Sequence, residues 1–404
     1  MCYFFRTLLL VLHLGITTTI NSFNHTYYIT QHPLPYTNDF GASLNHFACT
    51  GQKQGLPSAA TRAPNTNFDW EYYVQHNKLT DIHSEADAYE HYITKGKLEK
   101  LDYCKKFDIL IALHLYDLDL TDEIIGRINY FIHNNPCNNY RIKINIPISD
   151  RLDSLGDFSS GYQDMDNQEA ITFVKNRMTT LRSISNHDPI AYEPYARTLH
   201  RLAHYVSTSL SLPQENIHII FSENRGMDIG GFLVLLHEMK KDTTPFDFLV
   251  KLHTKKEPSE YGDQFGQTWK SCLMSFLNSK INIVLRTYNA IYPCMLNWRN
   301  DSERNNPLFM NKKTKLCNIL NISVANDYNF SAGTMFVVPH VFVTTLQQWN
   351  LEQIYSLFEL GRVIAGYEHV CERLFGYIGE TLCTKIACFD SVPRGCYSRH
   401  SDAP

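Results

Sequence analysis

No C-x-x-C pair occurs among the eleven cysteines, which run from Cys2 to Cys396. Without zinc-type spacing there is no metal site to read from them, and a chain of 404 residues needs no disulfide framework, so structural or free thiols are expected. Charge is scarce, at 19% of residues, with a formal balance of −4. That balance gives no reason to expect a nucleic-acid partner, although a local basic patch stays open. A convincing membrane span is missing too. The apolar run from Leu8 to Ile16, behind Arg6 and broken by His13 and Gly15, is long enough for a signal-peptide core and short for a bilayer. It lacks a small-x-small cleavage site, so residues 1–20 read either as a signal peptide or as an apolar first helix. The compartment is open between the secretory pathway or membrane and the cytoplasm. What the chain has is a globular composition, 44% hydrophobic and rich in Tyr and Phe. The N-x-S/T sequons at Asn24, Asn300, Asn321 and Asn329 are no more than an Asn-rich sequence gives by chance.

Residues 21–103 contain a repeat. Phe23, Tyr27, Tyr28, Leu34, His46, Gly51 and Leu56 return as Phe68, Tyr72, Tyr73, Leu79, His91, Gly96 and Leu101, a constant offset of 45. Each copy, 23–56 and 68–101, reads as two short helices packed by aromatics, with a Pro/Ala/Thr/Asn linker between them. The glycine is expected as a left-handed helix stop. His46 and His91 are expected to pack rather than ligate. This all-α front section is similar to short modules that precede glycosyltransferase domains in some large DNA viruses, and it leaves room for a protein or membrane contact.

From residue 104 to 392 strands alternate with helices, before a tail at 393–404. "FDILIALHLY" is nearly continuous in apolar residues, as a strand covered on both faces would be. "TDEIIGRINYFIHNN" has helical spacing and an acidic first turn, and "YRIKINIPI", "ENIHIIF" and "FDFLVKLH" read as further strands. Alternating units of this kind predict a mostly parallel, Rossmann-type α/β sheet with helices on both faces and ligands beyond the strands' carboxyl ends.

One such end carries "FSENRGMDIGGF". Three glycines within six residues, Gly226, Gly230 and Gly231, mean backbone that turns sharply or is closely approached. Asn224, Arg225 and the backbone N–H groups at this corner suit an anionic oxygen. Asp228 is either the helix N-cap or a contact to a sugar or ribose. In the next strand Phe246, Phe248, Val250 and Leu252 share one face, while Lys251, His253 and Lys255 share the other. A lysine in so buried a strand needs an anion or a carboxylate. It is read either as a cationic shelf for a ligand or as a local salt bridge with Glu223 or Asp228.

"NRGMDIGGF", "FDFLVKLHTKK" followed by Trp269–Lys270, "NFSAGTMFVVP" and "EHVCERLFG" stand in the order and spacing of the rhamnan synthesis F family, which the chain resembles over residues 106–390. The resemblance implies a GT-A-like fold and a glycosyl transfer from a nucleotide-diphosphate sugar to a glycan hydroxyl, the sugar being a hexose such as rhamnose. In many GT-A enzymes the fourth strand ends in a metal-holding Asp-x-Asp, but here that place reads "KLHTKK". Arg225, Lys251 and Lys255 are therefore expected to replace the metal, each charge pair at about 4 Å contributing roughly 4 kcal/mol at an effective dielectric of 20. No cofactor is expected. The donor-binding set implied is Asn224, Arg225, Gly226, Asp228, Lys251, His253, Lys255, Ser331, Gly333 and Thr334, with Ser331 or Thr334 bonding sugar hydroxyls and Gly333 admitting the ring. The alternative for "YNFSAGTMFVV" is a tight turn entering a buried strand. In the amphipathic "GYEHVCERLFGYI", with Val370, Leu374 and Ile378 toward the core, Glu368, His369 and Glu372 are the candidates for catalytic base. The resemblance implies an Asp-Gly a few residues before this His; "IAGYEH" lacks the Asp, which puts the base assignment in doubt and leaves a non-catalytic glycan-binding protein as the competing reading. Glu372 and Arg373 are alternatively surface charges paired within the fold.

Overall fold

The computed structural model describes residues 68–149, 152, 166–179, 181, 192–254, 273–277, 281–293, 297–299, 306–324, 328–331, 333–360, 366–383 and 385–389. Residues 1–20, the repeat copy 23–56, Lys255, Trp269–Lys270 and the tail lie outside them. The chain divides into two compact units, residues 1–105 and 106–404.

In the first unit, the copy at 68–101 forms α1 (Trp70–His76) and α2 (Glu85–His91), which runs into a π-turn at Tyr92–Gly96. Asp69 and Ser84 cap the two helices by accepting from the Tyr72 and Asp87 N–H groups. Phe68, Tyr73, Tyr89 and Tyr92 pack ring against ring, and the Tyr73 hydroxyl shares a 2.8 Å hydrogen bond with His91 Nδ1. His91 is thus a packing residue. Gly96, however, does not take the left-handed conformation; Lys100 does, at φ 56°. A Cβ on Gly96 would stand 2.1 Å from the Tyr73 hydroxyl, so the glycine is there for room.

The second unit is α/β, as expected. Its main sheet has the order β3-β2-β1-β4-β8-β5-β9 among the described residues. Strands β1 (Asp108–His114), β2 (Asn139–Ile148), β3 (Ile217–Glu223) and β4 (Phe248–His253) are mutually parallel. Strand β8 (Phe336–Pro339) runs antiparallel to β4 and to β5 (Ala290–Pro293), which pairs in parallel with β9 (Ile386–Phe389). A separate two-stranded sheet joins β6 (Asn297–Arg299) to β7 (Asn329–Ser331). The stretch "YNFSAGTMFVV" becomes β7, a turn and β8. Gly333 at φ 83° and Thr334 at φ 52° turn the backbone between them, so the tight-turn reading of this segment is the one observed.

Period-two alternation builds the two cores. Ile109, Ile111 and Leu113 of β1, Ile142, Ile144 and Ile146 of β2, and Phe248, Val250 and Leu252 of β4 pack with α3 (Thr121–Asn134), α4 (Asn167–Lys175), α5 (Ala196–Ser209) and α7 (Ile281–Thr287). On the opposite face Leu110, Ala112 and Leu249 meet α6 (Met227–Lys241), α8 (Pro307–Leu320), α9 (His340–Gln347), α10 (Leu351–Ser356) and α11 (Tyr367–Leu382). Among the described residues no helix is long and apolar enough to cross a membrane. Cys317, Cys371 and Cys383 are free thiols, whereas Cys104 and Cys137 are disulfide-bonded, contrary to the expectation of thiols alone.

Candidate functional site

The chain leaves β1 outward to β2 and β3, then returns to place β4 on the other side of β1. This reversal makes a topological switch point at the carboxyl ends of β1 and β4, the place where open α/β sheets bind ligands. Thr254 ties its two sides together: its hydroxyl accepts from the N–H groups of Tyr116 (2.9 Å) and Asp117 (2.8 Å), and its own N–H donates to the His114 carbonyl.

On the α6 face of the sheet, polar residues stand where apolar ones would be expected. His114, Asn145 and His253 occupy one register row across β2, β1 and β4, all three buried, with Lys251 in the row below. The Lys251 ammonium is 1% exposed and spends its three donors internally. They go to Asp228 Oδ2 at 3.0 Å, the Thr334 carbonyl at 2.8 Å and the Thr334 hydroxyl at 2.8 Å. Asp228, 22% exposed, also accepts from the Thr334 hydroxyl and stands 3.3 Å from His253 Nδ1. The open cationic shelf is therefore corrected to a salt bridge: a charge this deep is held only by a partner of opposite sign. Arg225 has the same fate, with Nε 3.0 Å from Glu223 Oε1 and Nη1 donating to the Phe358 carbonyl.

Asp228 is not the helix N-cap. Gly226, at φ 65°, takes that position without a capping side chain, and Asp228 sits in the first turn facing Lys251. The glycine-rich corner now has its explanation in packing. A Cβ on Gly226 would meet the Phe358 ring at 2.2 Å, one on Gly230 the Arg225 carbonyl at 1.7 Å, and one on Gly231 the His114 Nδ1 at 2.1 Å. Non-glycine residues at positive φ, Met227 (51°) and Thr334 (52°), flank the Asp228–Lys251 contact from both sides. Strain of this kind costs about 1–3 kcal/mol per residue and persists where the surroundings impose it.

His114 is the residue that sequence reasoning passed over, together with Asn145 and Thr254. The signal was present as a polar side chain in an otherwise apolar run, at matching positions of two strands. The His114 Nδ1 lies 3.1 Å from Asn145 Nδ2, and neither His114 Nε2 nor Asn145 Oδ1 has a hydrogen-bond partner. Burial, aided by the Lys251 charge and opposed by Asp228, pulls the His114 pKa down to about 4 and keeps the ring neutral.

A second group gathers at the start of α11. Gly333 N–H donates to Glu372 Oε1 at 2.8 Å, and Arg373 Nη1 donates to Glu372 Oε2 at 2.9 Å and to the His369 carbonyl at 3.1 Å. Glu372 thus links the 333–334 turn to α11, pairing within the fold. Glu368, by contrast, is not a surface charge: it is 2% exposed, and Oε1 has no hydrogen-bond partner. His369 Nδ1 stands 3.4 Å from that oxygen, likewise without a hydrogen bond. Ser331 donates to the Met335 carbonyl at 3.0 Å and is spent on the turn. The structure therefore brings together Asp228, Lys251, His253 and Thr334, and reaches Glu372 through Gly333. Asn224, Arg225 and Gly226 form a neighbouring corner tied to residues 358–360, where Gly226 N–H donates to the Glu359 carbonyl.

The fold is an α/β domain of the Rossmann-like kind, with buried polar residues at its topological switch point. Residues 198–381 match the family model described as rhamnan synthesis protein F. All four ordered motifs fall inside that segment, so the resemblance read from them is shown there. A search of curated proteins found no match.

Proposed function

We propose that the chain is a glycosyltransferase of polysaccharide synthesis, moving a hexose of the rhamnose type from a nucleotide-diphosphate sugar to a glycan hydroxyl. One observation carries the reading: the segment matching the rhamnan synthesis F family is the one that gathers Asp228, Lys251, His253 and Thr334 at the carboxyl end of β4 and links them through Gly333 to Glu372. In the proposed reaction the acceptor hydroxyl gives its proton to a base and its oxygen bonds the anomeric carbon. The anomeric carbon–oxygen bond breaks, and its electron pair leaves with the nucleotide diphosphate. Glu368, supported by His369, suits the base better than Glu372, whose two oxygens already serve Gly333 and Arg373.

The reaction is written without a divalent metal. A hard cation needs carboxylate oxygens turned toward it, and the Asp228 oxygen at the end of β4 is turned toward Lys251, His253 and Thr334. The charge that stabilises the leaving diphosphate is then not that of Lys251 or Arg225, both of which are neutralised internally. That neutralisation, with the missing Asp in "IAGYEH", favours a second reading, a glycan-binding protein on the same fold.

A thermal-shift screen of nucleotide sugars, followed by turnover with and without chelator, tests both. A ligand at a hundred times its Kd adds about 2.7 kcal/mol of stability, enough to find the donor. Transfer that survives chelation supports the proposal as written, and transfer abolished by chelation removes its metal-free part. Glycan binding with no donor turnover selects the second reading.

A further inference from the structure

The turn after α2 carries "ITKGKLEK", residues 93–100. Gly96 is buried against Tyr73, and every other residue of the stretch is exposed. Ile93 is 43% exposed and Leu98 82%, the latter the most open large apolar side chain among the described residues. The Lys97 N–H donates to the Tyr92 carbonyl at 2.7 Å, an i→i+5 spacing that sets residues five apart one above the other. Ile93 and Leu98 therefore share a side, away from the aromatic cluster that Tyr92 and Gly96 face. Lys95 meets Glu99 at 3.8 Å in an exposed pair, while the Lys97 and Lys100 ammonium groups have no partner among the described residues.

The repeat supplies an internal control. At the offset of 45, the packing residues Tyr28, His46, Gly51 and Leu56 return as Tyr73, His91, Gly96 and Leu101. The outer ones do not return: Ala48, Gln52, Lys53 and Gly55 stand where Ile93, Lys97, Leu98 and Lys100 follow. The shared pattern is thus complete without this apolar and cationic tip. Lys100 also takes φ 56°, a left-handed conformation that favours glycine, and the first copy has Gly55 at that position. A lysine where glycine would sit without strain argues that its charge is used.

We propose that this tip docks the chain on an anionic lipid bilayer. Ile93 and Leu98 enter the boundary between headgroups and acyl chains, and Lys95, Lys97 and Lys100 lie among the lipid phosphates. Large apolar side chains set among lysines are the composition of an interfacial anchor. A lysine is a point charge on a flexible stem, which suits headgroups that move laterally. A fixed array of protein carboxylates is better met by arginine forks, and the tip has none. The inference is independent of the transferase reading.

The test is sedimentation of the full-length chain with phosphatidylcholine vesicles, with and without phosphatidylserine. Binding is expected to be about tenfold tighter on the anionic vesicles at low salt, an advantage that shrinks as salt is raised. On those vesicles K97Q/K100Q and L98S should each lose about tenfold, their folds checked by melting. L308S, which changes an exposed leucine of α8, should bind as the native chain does. If L98S fails to fold, I93S takes its place. Absent binding, or equal binding to the two kinds of vesicle, overturns the inference. So does binding unchanged in K97Q/K100Q and L98S, which would place the contact elsewhere in the chain, or a loss in L308S as large as that in L98S.

Discussion

The end of β4 and the start of α11 are both buried and both charged, yet their bonds are completed differently. At β4 every donor of Lys251 has an acceptor inside the protein, and Asp228 accepts from Lys251 and Thr334 with His253 Nδ1 3.3 Å away. At α11 the Glu368 and His369 atoms that face each other are left without hydrogen bonds. Buried polar groups are normally satisfied, and an exception in a native fold calls for an explanation. The difference is that the lysine which drew attention in the sequence has its charge bonded within the fold, while the less conspicuous Glu368 keeps one buried oxygen without a hydrogen bond, which is why the proposed function gives it the base.

The sharpest way to break this comparison is Glu368→Gln. If Glu368 is the base, transfer falls about 10²–10⁴-fold with the melting temperature nearly unchanged, while Glu372→Gln costs less than about tenfold. Equal losses in steady-state turnover would erase the distinction drawn between the two glutamates. Next in size is Lys251→Met, which leaves Asp228 facing no cation. Denaturant unfolding should show a loss of about 3–5 kcal/mol, as for a broken buried ion pair. A loss below about 1 kcal/mol would show that the β4 cluster is not a scaffold.

His114 supplies a pH test of the same region. Its folded pKa, about 4, is depressed below the unfolded value of roughly 6.5. The unfolded chain therefore binds more protons across this window. The contribution of His114 is fully present above about pH 6.5 and is lost as pH falls toward 4, with a slope of up to about 1.4 kcal/mol per pH unit. Stability curves of the native chain and His114→Gln between pH 7 and 4 should differ by about this slope. Parallel curves would mean that the ring is not held neutral. The smallest effect is expected at Gly231→Ala, whose methyl would crowd His114 and cost about 1–3 kcal/mol in the same unfolding assay.

Much of the fold was legible because burial leaves a period in the sequence. The strand at Phe248–His253 and the helix at Tyr367–Leu382 follow directly from alternation and from Val370, Leu374 and Ile378 on one face. The turn between β7 and β8 was read only as an alternative, since Thr334 is a residue that seldom takes positive φ. At the site the opposing faces of β4 were legible, and so was the choice for Lys251 between a ligand and an acid. Which of the two holds was not, because Asp228 is 23 residues away and Thr334 is 83.

The sequence by itself determined the α/β class, the repeat at the front, the four ordered motifs and the strand carboxyl ends as the place for polar chemistry. All of these follow from local spacing and from which side chains water rejects. Only the tertiary structure decided that Lys251 and Arg225 are paired with Asp228 and Glu223, that the glycine corner makes room for Phe358 and His114, and that Glu372 joins the 333–334 turn to α11. These depend on distances between segments far apart in the chain, and an ion pair or a close approach leaves no period to read.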